Sequence, residues 1–133
     1  MPTPLLYKPF TISLVMYSVR LLDHFQNPRN PGEVSKPDAT AEIENPACGD
    51  VLRLTLRISA GRIAEIRFKA KGCVPSMACA SALTELVNGQ TLAETRGLKR
   101  ETLIACVGGL PQASTHAAQL ALDALSAALD QID

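Results

Sequence analysis

The stretch VLRLTLRISAGRIAEIRFKAKGC, residues 51–73, alternates apolar and polar side chains on both sides of a turn. Leu52, Leu54, Leu56 and Ile58 interleave with Arg53, Thr55 and Arg57, and beyond Ala60-Gly61 the residues Ile66, Phe68 and Ala70 interleave with Arg67, Lys69 and Lys71. Alternation of this kind predicts two antiparallel strands joined as a hairpin. One face is expected to be apolar and the other basic and wet, so helices should cover a single side.

The flanking segments supply those helices. From Tyr17 to Gln26, Val19, Leu22 and His24 interleave with Leu21 and Phe25 at near-helical spacing, and Asn27-Pro28 ends the run. NPRNPGEVSKPDA concentrates Pro, Gly and Asn into a loop, after which TAEIEN reads as a brief edge strand. After Cys73 a helix is predicted with Ser76 as N-cap and Gly89 as its close. TLAETRG and KRETLIACVGG read as two short helices, and STHAAQLALDALSAALDQI as a long one. Ala117, Leu120, Ala121, Ala124, Leu125, Ala128 and Ile132 draw the apolar stripe of that last helix. The order predicts an α+β domain with a small antiparallel sheet of about three strands and helices packed on one face. Residues 1–15, with three prolines and no periodicity, read as a peripheral arm, and 16–133 as the domain.

Composition narrows the function. The chain has 133 residues, 47% hydrophobic and 20% charged, enough for one domain with a modest core. Lys plus Arg equals Asp plus Glu at 13 each, without a basic block, which argues against a nucleic-acid partner. The uncharged run Pro9 to Val19 is too short and too rich in hydroxyls to span a membrane. The first fifteen residues show no export signal, so the expected location is the cytoplasm. There the four cysteines, Cys48, Cys73, Cys79 and Cys106, are expected to be metal or thiol groups rather than a disulfide framework.

Cys48 and Asp50 in NPACGD stand two residues apart, about 6.6 Å by strand rise, with Gly49 to bend the chain between them. The pair alone is read either as a polar turn before a strand or as half of a metal site, thiolate beside exchangeable carboxylate. Cys73 precedes a helix start, where amide dipoles favour a thiolate, and reads as ligand, sulfur acceptor or buried turn cysteine. His116 lies in the first turn of the last helix, where the same dipoles favour a neutral ring with a nitrogen free for metal. Cys79, in register with Leu83 and Leu86, belongs to a core stripe, and so does Cys106 with Leu103 and Val107, a reserve ligand being the alternative for Cys106.

Taken together, YSVRLLDHFQNPRNPG, NPACGDVLRLTLRI, GRIAEIRFKAKGCVPSMACASALTELVNGQT and LPQASTHAAQLALDAL resemble the iron-sulfur cluster scaffold family, the IscU proteins and the N-terminal domain of NifU. The resemblance covers roughly Met16 to Leu129. It implies a non-enzymatic scaffold or carrier on which a labile [2Fe-2S] cluster is assembled and then passed to acceptor apo-proteins. Sulfur would come from a cysteine desulfurase, iron from the cellular pool and electrons from a ferredoxin or equivalent. It implies Cys48, Cys73 and His116 as ligands and Asp50 as the residue that keeps the cluster labile.

Two departures from the family pattern shape the expectation. Where the family has a cysteine directly after the histidine, this chain has Ala117. Two cysteines, a histidine and a carboxylate make a poorer iron-sulfur cage than a thiolate-rich one, but an acceptable tetrahedral zinc site. The alternative reading is therefore a zinc- or iron-binding module that partners or regulates a desulfurase. Where members served by an Hsp70-type chaperone carry LPPVK, this chain reads LPQAS with Ser114 in place of the lysine, which speaks against chaperone-driven handover.

Overall fold

The structure, a computed structural model, describes residues 17–46 and 49–132. The arm predicted at residues 1–15 lies outside the described residues. Helix α1 (Val19–Gln26) is followed by strands β1 (Ala39–Asn45), β2 (Asp50–Ser59) and β3 (Arg62–Lys71), then α2 (Val74–Val87), α3 (Leu92–Arg96), α4 (Arg100–Cys106), a 3₁₀ turn at Gln112–Ser114 and α5 (Thr115–Leu129). The strands form one antiparallel sheet in the order β1-β2-β3.

The predicted hairpin is present, with Ser59 paired to Arg62 across a two-residue turn. Ala60 (φ 54°) and Gly61 (φ 73°) both adopt positive φ, as a type I′ turn matching the strand twist requires. In register, Leu52 faces Ala70 and Ile43, Leu54 faces Phe68 and Ala41, and Leu56 faces Ile66 and Ala39. These side chains form the floor of the core, roofed by α5 over β1 and β2 and by α2 over β3. Cys79, Leu83, Ala121 and Leu125 are among the buried residues of that roof. Among the described residues, no helix is long and apolar enough to cross a membrane.

The opposite face is less wet than alternation predicts. Residues 30–32 pair along the outer edge of β3, with Phe68 N–H donating to Asn30 O (3.0 Å) and Gly32 N–H to Phe68 O (2.8 Å). The chain then contacts β2, where Val34 N–H donates to Thr55 Oγ1 at 2.8 Å and both residues are buried. Around this strap the basic residues pair with acids, Arg53 with Glu33 at 2.7 Å and Arg67 with Glu65 at 2.7 Å.

Ser18 ties the start of the domain to the approach of the last helix. Its Oγ accepts the Leu21 N–H at 2.9 Å as the N-cap of α1 and donates to the Val107 carbonyl at the end of α4. Gly108 (φ 73°) makes the approach possible, because a Cβ there would stand 2.6 Å from Ser18 Oγ. Behind α1, His24 is 6% exposed, its Nδ1 2.8 Å from Ser81 Oγ and its Nε2 3.8 Å from Glu85. Burial, reinforced by nearby Arg29, holds this imidazole below its ordinary pKa.

Candidate metal centre

β1 and β2 meet at the end of the sheet away from the hairpin turn. Asn45 pairs with Asp50, and Gly49 turns the chain at φ 75° while its N–H donates to Asn45 O at 2.8 Å. Asp50 thereby opens β2 with its side chain 3% exposed. A buried carboxylate needs hydrogen-bond donors. Cys48 lies outside the described residues, so three of the four predicted site residues are placed here: Asp50, Cys73 and His116.

Among the described residues, three donors to Asp50 come from the junction of β3 and α2. Cys73 N–H donates to Oδ1 at 3.1 Å, Cys73 Sγ–H to Oδ2 at 3.2 Å, and Ser76 Oγ–H to the same Oδ2 at 2.7 Å. Cys73 Sγ and Ser76 Oγ are themselves 3.2 Å apart. Ser76 is therefore not the N-cap that the sequence predicts. Pro75 suits the first helical turn, so α2 begins at Val74, Cys73 takes the cap position and Ser76 falls one turn inside. Read that way, the Pro-Ser pair would have placed Ser76 beside the cysteine from sequence alone. Gly72 (φ 152°) supplies the space: a Cβ on it would lie 2.2 Å from Asp50 Oδ1.

His116, second residue of α5, reaches the cluster from the other side of the sheet end. Its Nε2 is 3.8 Å from Asp50 Oδ2. The ring is 40% exposed, yet Nε2 itself is buried and has no hydrogen-bond partner among the described residues. A buried ring nitrogen without a partner is costly unless something accepts its lone pair or proton. One ligand atom from each of Asp50, Cys73 and His116 lies within 4.8 Å of the others. Ligand atoms around a tetrahedral zinc, at bonds of 2.0–2.3 Å, stand about 3.3–3.8 Å apart. The separations of 3.2 and 3.8 Å measured from Asp50 Oδ2 are thus close to what an ion would require.

The other cysteines divide as expected for Cys79 and less simply for Cys106. Cys79 is fully buried, and burial pushes its thiol up to about 12, leaving it an inert part of the core. Cys106 is half-buried and lines a cleft with Arg20, Asp23, His24, Arg29, Glu85 and Leu86. It is not one of the clustered ligands, so the reserve-ligand alternative has no support in the geometry. Ala117 is 1% exposed and belongs to the hydrophobic core beside the site histidine. Cys73, Cys79 and Cys106 are all free thiols.

Comparison with known proteins agrees with this architecture. The family model for the NifU-like N terminal domain matches residues 16–132. The chain is 38% identical over 114 residues to the iron-sulfur cluster assembly scaffold protein IscU 1 of Archaeoglobus fulgidus, covering 86% of this chain and 74% of that protein. It is 47% identical over 110 residues to the nitrogen fixation protein NifU of Cereibacter sphaeroides, covering 83% of this chain and 45% of that protein. The crystal structure of the N-terminal part of a nitrogen-fixing NifU-like protein from Brucella abortus superposes with a TM-score of 0.72 at 23% identity, covering 88% of this chain and 94% of the other, and so shares its fold. With a three-stranded sheet roofed by helices and a family match that spans residues 16–132, the chain belongs to the NifU-like N-terminal domain family.

Proposed function

We propose that this protein is a scaffold in iron-sulfur cluster assembly, holding iron and a labile [2Fe-2S] cluster as cargo and releasing it to acceptor proteins. The observation that carries the reading is the convergence at one end of the sheet of Asp50, Cys73 and His116, whose buried Nε2 has no hydrogen-bond partner among the described residues. Cys48, two residues before Asp50, is the fourth proposed ligand. Each group has a separate part. Cys73 supplies a thiolate at a helix start, His116 a ring nitrogen that approaches from α5, and Asp50 a carboxylate held by the Cys73 N–H and the Ser76 hydroxyl. A carboxylate bonds iron less covalently than a thiolate, which suits cargo that must leave.

The role is one of binding and transfer, without turnover of a substrate. It calls for a sulfur donor, for which we propose a cysteine desulfurase, and for acceptor apo-proteins in the cytoplasm. LPQAS, whose Gln112–Ser114 segment forms the 3₁₀ turn before α5, replaces the chaperone motif, so we propose handover without an Hsp70-type partner.

A second reading follows from Ala117. With alanine beside His116, the thiolate count stays at two even with Cys48 included, and that donor set fits one zinc or iron ion. In that case the protein is a metal-binding partner or regulator of a desulfurase. Anaerobic reconstitution with desulfurase, cysteine and iron separates the two. A thiolate-to-iron charge-transfer band that disappears in Cys48→Ser and Cys73→Ser supports the scaffold. Stoichiometric zinc with no chromophore, even after zinc removal and iron supply, sinks it in favour of the second reading.

A further inference from the structure

We propose that Ser76 is a positioning residue of the metal site, its hydroxyl fixing Asp50 Oδ2 in the direction shared by Cys73 and His116. The inference rests on the metal-binding reading above and deepens it.

Oδ2 is the atom on which the site converges: Cys73 Sγ is 3.2 Å from it, His116 Nε2 3.8 Å and Ser76 Oγ 2.7 Å. The serine contact is the shortest of the three. A carboxylate on a short side chain can rotate about its last bond and exchange its two oxygens. Here Oδ1 is anchored by the Cys73 backbone N–H at 3.1 Å, and Ser76 supplies the second anchor on the other oxygen. Two donors on different oxygens set the plane of the carboxylate, which one donor cannot do. A ligating oxygen has lone pairs to spare, so it can accept from a hydroxyl and bind an ion together.

Ser76 is placed to be rigid. It is 4% exposed and sits inside the first turn of α2, below Pro75 and beside the Met77 N–H bond to Cys73 O at 3.2 Å. Its hydroxyl does not cap the helix, since the cap residue is Cys73 and no side-chain cap bond is made. The hydroxyl is committed to Asp50 and to the Cys73 sulfur instead. Outer partners of this kind orient ligands and are worth roughly 10- to 100-fold in metal affinity.

The test uses the full chain, cobalt(II) as probe and a competing chelator, with circular dichroism confirming that each metal-free variant is folded. Ser76→Ala keeps a strong helix former and removes only the hydroxyl. It is expected to weaken cobalt binding by about 10- to 100-fold, while Ser76→Thr, which keeps the hydroxyl, recovers most of the loss. In an Asp50→Ala background the same Ser76→Ala change should have no further effect, because the serine acts through the carboxylate. Unchanged affinity in Ser76→Ala, or an equal loss with and without Asp50, overturns the positioning role and leaves the metal site standing. Failure of the wild-type chain to bind cobalt overturns the metal-binding reading itself, and the inference with it.

Discussion

Gly72 and Asp50 compete for one volume: the Cβ that any other residue would carry at position 72 falls 2.2 Å from Oδ1 of the buried carboxylate. The backbone at Gly72, with φ at 152°, also lies in the region that side chains rarely adopt. The absent side chain is therefore as much a part of the site as the ligands.

Gly72→Ala should displace Asp50 and weaken cobalt or zinc binding by about tenfold or more, with a stability loss of about 1–3 kcal/mol from backbone strain. Chelator competition and urea unfolding of the metal-free chain read the two effects separately. Wild-type affinity in this variant would show that Asp50 is not held by the β3–α2 junction.

The two candidate thiols should separate cleanly. Cys73→Ser is expected to abolish the thiolate-to-metal charge-transfer band, whereas Cys106→Ser, which alters the cleft behind α1, should leave metal content and spectrum as they are. Loss of metal in Cys106→Ser would bring the reserve-ligand alternative back.

Ala117→Cys should prolong the life of a reconstituted cluster, followed as decay of visible absorbance under air. Position 117 adjoins His116 and is packed at 1% exposure, so the added sulfur atom either turns toward the site or strains the core. A shorter-lived chromophore together with a lowered melting temperature would show that it did the latter.

His24 makes stability depend on pH. Its folded pKa lies below the ordinary 6.5, mainly through burial and secondarily through Arg29, against the opposing pull of Glu85 and Asp23. The native state therefore binds fewer protons than the unfolded state in the window just below 6.5. Its contribution is complete above the unfolded pKa and is lost as pH falls toward the folded one. The urea midpoint should drop between pH 7.5 and 5.5, and His24→Gln should flatten that drop. An equally steep drop in His24→Gln would assign it to other groups.

Ala60→Asn should raise stability by about 0.5–1 kcal/mol, because Asn tolerates positive φ better than Ala and Asn-Gly is the preferred type I′ pair. The denaturant midpoint of the metal-free chain measures it. A decrease would show that the turn geometry is not the limiting strain.

The hairpin was readable because alternation is a local property: each of Leu52, Leu54 and Leu56 declares its face from two residues away. The same locality explains what was missed. Thr55 alternates with leucines as a solvent-facing residue should, yet it is buried under Val34, whose approach is set by a loop that first pairs with β3. Ser76 reads as a cap because a serine near a helix start usually is one, and its partner in the fold, Asp50, lies 26 residues away. His24 looks like an ordinary member of an amphipathic helix until α2 brings Ser81 within 2.8 Å. Asp50, Cys73 and His116 come together in the sequence only through likeness to a family, since no spacing rule connects a strand start, a helix cap and a helix first turn.

The bond from Ser18 to Val107 has a mechanical side. It joins positions 89 residues apart, and beyond Val107 the chain runs through two glycines with positive φ to His116. Ser18→Ala would take away the cap of α1 and free the carbonyl on which that segment hangs. One hydroxyl thereby belongs to both ends of the domain, the first turn of α1 and the turn that leads toward the last helix.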